Sequence, residues 1–216
     1  GLMPEGVAVD ARGIARVGDR NLIGMSQTEL SRIRGGEFGV IFQDPMSALN
    51  PMLKIGPQLA EQAQRHAGLS ADAARKEAVS LLARTGIPDP QDRYDRYPHE
   101  LSGGMLQRMM IALALAAKPK VLIADEPTTA LDATVQAQIL ALIRQIQQAD
   151  GIAVVLITHD IGAVSVLADR VIVLYAGQIV EEGSAIDVLT RPVHPYTRGL
   201  LASVPDFRSK TASGTR

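Results

Sequence analysis

Two short apolar runs, Val121-Leu122-Ile123-Ala124 and Val154-Val155-Leu156-Ile157, constrain this chain most. Each runs straight into polar residues, Asp125-Glu126 after the first and Thr158-His159 after the second. Helical patterns lie around them: residues 105–118 before the first, 133–149 between the two, and 161–168 after the second. Strands that alternate with helices in this way argue for a parallel sheet covered by helices. Both polar pairs then sit at strand tips.

The rest of the chain fits around that sheet. Val7-Ala8-Val9 and Ile14-Ala15-Arg16-Val17 flank the turn-rich Asp10-Ala11-Arg12-Gly13 and read as an antiparallel hairpin. Ser26-Gln27-Thr28-Glu29 is a capping box, expected to start a short helix ending near Gly35-Gly36. Gly39-Val40-Ile41-Phe42 reads as a strand that delivers Gln43 to its tip. Over residues 44–104 the pattern changes to helices punctuated by Pro and Gly, at 55–68 and 70–86, with Ala74, Ala78, Leu81, Leu82 and Thr85 at helical spacing. This segment reads as a helical subdomain inserted between strands. Residues 171–175 and 178–180, joined by Ala176-Gly177, form a second hairpin, and Ser184 caps a short helix. The polar residues 208–216 are expected to fray.

Composition removes several classes of function. The balance of 22 basic against 23 acidic residues leaves a net charge of -1, with no electrostatic footprint for nucleic acid. The chain has no Cys, which excludes disulfides, thiolate metal sites and Cys-ligated clusters and fits a reducing compartment. The longest apolar stretch, residues 109–117, is far shorter than the ~20 residues of a spanning helix, so membrane contact is expected only through another protein.

Leu101-Ser102-Gly103-Gly104-Met105 opens an apolar helix. A hydroxyl, unhindered amides and the positive end of a helix dipole suit a bound phosphate, and two acids at a strand end suit a metal and a water. Each motif alone has an ordinary reading: an N-cap after a tight turn, two acids at a helix start, a solvated loop pair. Gln43, Leu101 to Met105, Asp125-Glu126, Ala130-Leu131-Asp132 and His159 nevertheless occur together in one order over more than half the chain. In that order they resemble the Q-loop, signature, Walker B, D-loop and switch histidine of an ATP-binding cassette (ABC) ATPase.

The resemblance implies a P-loop NTPase-like α/β fold with a mostly parallel sheet, antiparallel hairpins and an inserted helical subdomain. ATP and Mg2+ are the implied cofactors. Asp125 would hold Mg2+ through its water shell, with Gln43 joining metal and water to the transport machinery, and Glu126 would orient or deprotonate the attacking water. His159 would contact the terminal phosphate. Leu101, Ser102, Gly103, Gly104 and Met105 would grip the terminal phosphate of a nucleotide held mainly by an opposite subunit, with Asp132 lining the seam. The implied divisions are residues 1–43 and 105–189 for the ATPase core, 44–104 for the helical subdomain and 190–216 for a C-terminal tail.

One part of that machinery is missing. No G-x-x-x-x-G-K-[ST] loop occurs, and none of the five lysines, Lys54, Lys76, Lys118, Lys120 and Lys210, follows a glycine. Either the chain is an N-terminally truncated cassette or it is a degenerate, non-catalytic one that only lends its signature to a partner's ATP. Retention of Glu126 and His159 favours truncation. A truncated cassette is expected to be incompetent alone, and the Val121 and Val154 strands should each lose a sheet neighbour and leave apolar edges open to aggregation.

Further motifs narrow the resemblance to the oligopeptide, dipeptide and nickel importers. Phe42-Gln43-Asp44-Pro45-Met46-Ser47-Ala48-Leu49-Asn50-Pro51 is similar to their extended Q-loop, Met105 to their signature ending, and His194-Pro195-Tyr196-Thr197 with Leu200-Leu201 to their tail. The implied partners are two transmembrane permease subunits, a second ABC ATPase subunit and an extracytoplasmic solute-binding protein. The implied location is the cytoplasmic face of the membrane, with docking through the helical subdomain and the loop from Gln43 to Pro51. No residue named here selects the solute.

Overall fold

The structure, a computed structural model, describes residues 13–203. Three parallel strands form its centre: β3 (Phe38–Ile41), β4 (Val121–Asp125) and β5 (Ala153–Ile157), in the order β3-β4-β5. The register pairs Ile41 with Ala124 and Asp125 with Ile157, so all three strands end on one side. β4 buries Leu122 and Ala124 completely, which its central position requires.

Helices α5 (Gly103–Leu115) and α6 (Ala133–Asp150) supply much of the apolar cover. Ile139, Ile143 and Ile146 fall on one stripe of α6 and are all essentially inaccessible. Asp132 starts α6 by accepting from the Thr134 and Val135 amides, and Gly151, at φ 64°, ends it. At Gly39 in β3, a side-chain carbon would run into the Ala114 carbonyl oxygen of α5. The contact between strand and helix therefore depends on that missing side chain.

The helical segment contains α2 (Ile55–Ala67), α3 (Ala71–Arg84) and the short α4 (Pro90–Tyr94). Leu59, Ala63, Ala74, Ala78 and Leu82 are completely buried, in one contiguous cluster that continues through Met109 and Ile111 to Ile143. Arg108 braces the junction, donating to the Thr85 carbonyl at 2.9 Å and to the Gln138 side chain at 2.9 Å. α4 escapes sequence reading because five residues are too few to show a helical period.

Near the N-terminus, β1 (Arg16–Val17) pairs antiparallel with β2 (Arg20–Asn21), followed by α1 (Gln27–Gly36) with its capping box from Ser26 and Glu29. Ile14 to Val17 turn forward through Gly18-Asp19 to pair with β2, while Val7-Ala8-Val9 and most of the turn of the expected hairpin lie outside the described residues. The expected frayed tail at 208–216 lies outside them as well. After α7 (Ile161–Leu167), β6 (Arg170–Tyr175) and β7 (Gln178–Ser184) form a separate two-stranded antiparallel sheet. Helices α8 (Ala185–Thr190) and α9 (Pro195–Ala202) follow.

β4 is paired on both sides, because β3 and β5 both bind it, so the Val121 strand does not have the open edge expected of it. Among the described residues β5 is bonded only to β4, and Val155 and Ile157 are 48% and 50% exposed. Among the described residues, no helix is long and apolar enough to cross a membrane.

Candidate functional site

The strand tips gather the polar chemistry. β4 ends where Glu126 turns into the left-handed region at φ 49°, a conformation costing a non-glycine residue about 1 kcal/mol or more. The turn is held by the Glu126 amide, which donates to the Ile157 carbonyl at 2.9 Å, and by the Thr129 amide, which donates to the Glu126 carbonyl at 3.2 Å. The Glu126 side chain consequently faces the residues that follow β5. Its Oε1 lies 2.7 Å from His159 Nδ1, and its Oε2 accepts from the Thr129 hydroxyl at 2.9 Å.

Electrostatics follow this geometry. Partial burial pushes the Glu126 carboxyl up, but the hydrogen bonds from His159 and Thr129 outweigh it and hold the group below the usual carboxylate range. The bond to Glu126 raises His159 above the usual imidazole range, with the charges of Glu126 and Asp160 adding to it. An imidazole that donates Nδ1–H to Glu126 keeps Nε2 for another partner, and its side chain is 82% exposed.

Asp125 and Gln43 complete the row by register. Ile41 pairs with Ala124, so the two residues after Ile41 run beside Asp125 and Glu126. Neither the Asp125 carboxylate nor the Gln43 side chain has a hydrogen bond among the described residues, and Gln43 is exposed. Uncommitted oxygen donors at strand tips suit a hard cation such as Mg2+, which takes one or two protein oxygens and completes its shell with water and phosphate. Among the described residues there is no group of three or more His, Asp or Glu able to cage a metal by themselves.

Leu101 to Met105 form a second, separate cluster. Ser102 caps α5 by accepting from the Met105 amide at 3.4 Å, and Leu101 is buried. A side-chain carbon on Gly104 would stand 2.9 Å from Val135, and one on Gly103 3.9 Å from Leu131, so both glycines lie against the start of α6 next to Asp132. No hydrogen bond or ion pair among the described residues joins this cluster to Asp125, Glu126 or His159. The fold therefore brings Glu126 and His159 together, leaves Asp125 and Gln43 at or just past the tips of β4 and β3, and sets Gly103 and Gly104 against Leu131 and Val135 on either side of Asp132.

Sequence reasoning missed Thr129 and Asp160. Thr129 stands three residues after Glu126 in a turn, a spacing at which a hydroxyl can reach back. Asp160 caps α7 by accepting from the Gly162 amide at 2.8 Å, while its own amide donates to the Thr158 hydroxyl at 3.0 Å, which fixes the backbone on both sides of His159. The loop after Gln43 is equally constrained. Asp44 accepts from the Met46 amide, and the Gln58 side chain takes the Asn50 amide at 2.9 Å and donates to the Asn50 and Leu53 carbonyls. Met46, Met52 and Leu53 are left outside at 37%, 81% and 46% exposure.

Comparison with known proteins bears on the family. Residues 11–129, more than half of the chain, match a family model described as ABC transporter, and residues 180–216 match one described as oligopeptide/dipeptide transporter, C-terminal region. The dipeptide transport ATP-binding protein DppD of Bacillus subtilis is 52% identical over 95% of this chain and 61% of its own length. The oligopeptide transport ATP-binding protein OppD of the same organism is 50% identical over 96% of this chain and 58% of its own length. The chain thus spans about three fifths of the length of these curated relatives. Among solved structures, a dimeric post-hydrolysis state of the ATP-binding cassette MJ0796 bound to ADP and Pi superposes with a TM-score of 0.70 at 29% identity, covering 78% of this chain and 72% of that one. With the strand-tip residues in place and more than half its length matching one family, the chain belongs to the ABC transporter family.

Proposed function

We propose that this chain supplies the catalytic carboxylate, switch histidine and signature motif of an ATP-hydrolysing subunit in a peptide importer. The observation that carries this reading is the bond between Glu126 and His159 at the C-terminal ends of β4 and β5. Thr129 and His159 keep Glu126 ionised and aimed, so it can take a proton from a water once His159 swings away. His159, exposed and pinned only through Nδ1, can present its ring to a terminal phosphate. Asp125 and Gln43 would hold Mg2+, whose charge would neutralise the phosphate oxygens.

Ser102 and the α5 N-terminus lie apart from this row and would serve a nucleotide bound by a second cassette, whose seam Asp132 would line. The exposed Met46, Met52 and Leu53 on a pinned loop support docking to transmembrane permease subunits at the cytoplasmic face of a membrane. An extracytoplasmic solute-binding protein would complete the importer. The names of the matched relatives support peptides as the transported class.

Residues 1–216 contain no lysine-bearing phosphate loop. The decisive experiment therefore places Glu126→Gln in a cassette dimer where this chain's residues act beside an intact loop. Turnover is expected to fall by about 10²–10⁴-fold while ATP stays bound. Unimpaired turnover would remove Glu126 from this role and favour the non-catalytic reading, in which only residues 101–105 act.

A further inference from the structure

The proposed chemistry leaves His194-Pro195-Tyr196-Thr197 unexplained, although it lies within the matched C-terminal region. Its surroundings converge on one carboxylate in β7. Glu181 Oε1 accepts from the Val193 amide at 2.8 Å, and Oε2 accepts from the His194 amide at 3.0 Å. Both oxygens thus bind the backbone immediately before α9, twelve and thirteen residues further along the chain. Thr197 is buried at 3% exposure, and its hydroxyl makes no hydrogen bond among the described residues. Its influence, followed by the Val193 amide, does most to hold Glu181 below the usual carboxylate range.

Other contacts fasten the same segment. The Tyr196 ring packs against Tyr175 of β6 with centroids 4.4 Å apart, and Arg198 Nε donates to the Pro192 carbonyl at 2.9 Å. His194 itself is occupied: its Nδ1 accepts from the Tyr196 amide at 3.2 Å and caps α9. Pro195 stands at the first position of α9, where its missing N–H costs nothing. A metal would compete with the Tyr196 amide for Nδ1, and the described residues hold no cluster of ligands to assist it.

We propose that Glu181 is an internal receptor for the chain's own His194-Pro195-Tyr196-Thr197 segment, docking α9 onto the β6–β7 hairpin. Each residue of the motif then has a structural task. His194 supplies an amide and a cap, Pro195 sets the helix start, Tyr196 packs on Tyr175, and Thr197 is buried in the first turn of α9. Backbone amides held by a carboxylate form charge-assisted bonds, so losing the charge should release the segment locally.

Hydrogen exchange on the full 216-residue chain tests this. Glu181→Ala should speed exchange of the Val193 and His194 amides by at least about tenfold while protection in β4 and α5 is unchanged. Glu181→Gln, which keeps one acceptor oxygen, should give a smaller rise at the same two amides and retains the test if the alanine variant unfolds. Glu182→Gln removes the neighbouring carboxylate, which pairs with Arg170, and should leave both amides as they were. Unchanged protection at Val193 and His194 in Glu181→Gln, or an equal loss in Glu182→Gln, would overturn the proposal.

Discussion

The helical segment around Leu59 and Leu82 and the free edge of β5 are built from the same kinds of residue and meet opposite fates. Leu59, Leu82 and Met109 are completely buried, because α2, α3 and α5 close over one another. Val155 and Ile157 remain half exposed, because β5 has a bonded neighbour on one side only. Ile172, Leu174 and Ile179 of the β6–β7 hairpin are exposed at 53%, 61% and 61%. Apolar character makes burial favourable, but burial happens only where a neighbour exists to provide it. The edge also carries none of the usual safeguards, since β5 contains no charge, Pro or bulge.

The largest effect separating the two regions should come from cavities. Leu82→Ala is expected to cost about 2–5 kcal/mol, as large-to-small changes in closed cores do. Val155→Ala should cost less than about 1 kcal/mol, because half of that side chain already faces solvent. Urea unfolding of both variants measures this, and equal losses would mean that the edge is covered in solution. Gly39→Ala should come next, at about 1–3 kcal/mol, since the new methyl meets the Ala114 carbonyl rather than a movable side chain. A neutral result there would show that β3 and α5 can part.

Val155→Lys sharpens the comparison from the other side. It should change stability by no more than about 0.5 kcal/mol yet reduce self-association, because a charge on an open edge opposes strand pairing. Light scattering against concentration reads this, and unaltered association would place the sticky surface elsewhere.

The smallest effect concerns pH. Glu181 is held below the usual carboxylate range by Thr197 and by the Val193 and His194 amides. A lowered folded-state pKa means that its contribution is fully present above the ordinary carboxylate pKa and is lost as pH falls through the lower one. The stability difference between the natural chain and Glu181→Gln should therefore shrink on acidification. A difference that stays constant through that range would show that the charge of Glu181 is not what holds α9.

Much of the architecture is legible locally. Ser26 and Glu29 announce α1 as a capping box, Asp132 and Gly151 bound α6, and β4 and β5 stand out as apolar runs ending in polar tips. These features depend on residues only a few positions apart. The placing of Gln43, Asp125, Glu126 and His159 at strand ends was legible for the same reason. The β1–β2 pairing was missed because Gly18-Asp19, a two-residue turn, joins strands of only two residues each, too short to show an alternating pattern. Thr129 was missed because its link to Glu126 depends on a left-handed backbone that no neighbouring glycine advertises.

By itself, then, the sequence determined most of the longer helices and strands, which residues stand at strand tips and which family order they follow, since propensity, capping and periodicity act over a few residues. Tertiary structure alone decided that Glu126 meets His159 across 33 positions, that Glu181 receives the segment before α9, and that among the described residues β5 rather than β4 is left with an open side. Those outcomes depend on which elements pack beside one another. That is a property of the whole folded chain, because each contact must repay the entropy of ordering the residues between its ends.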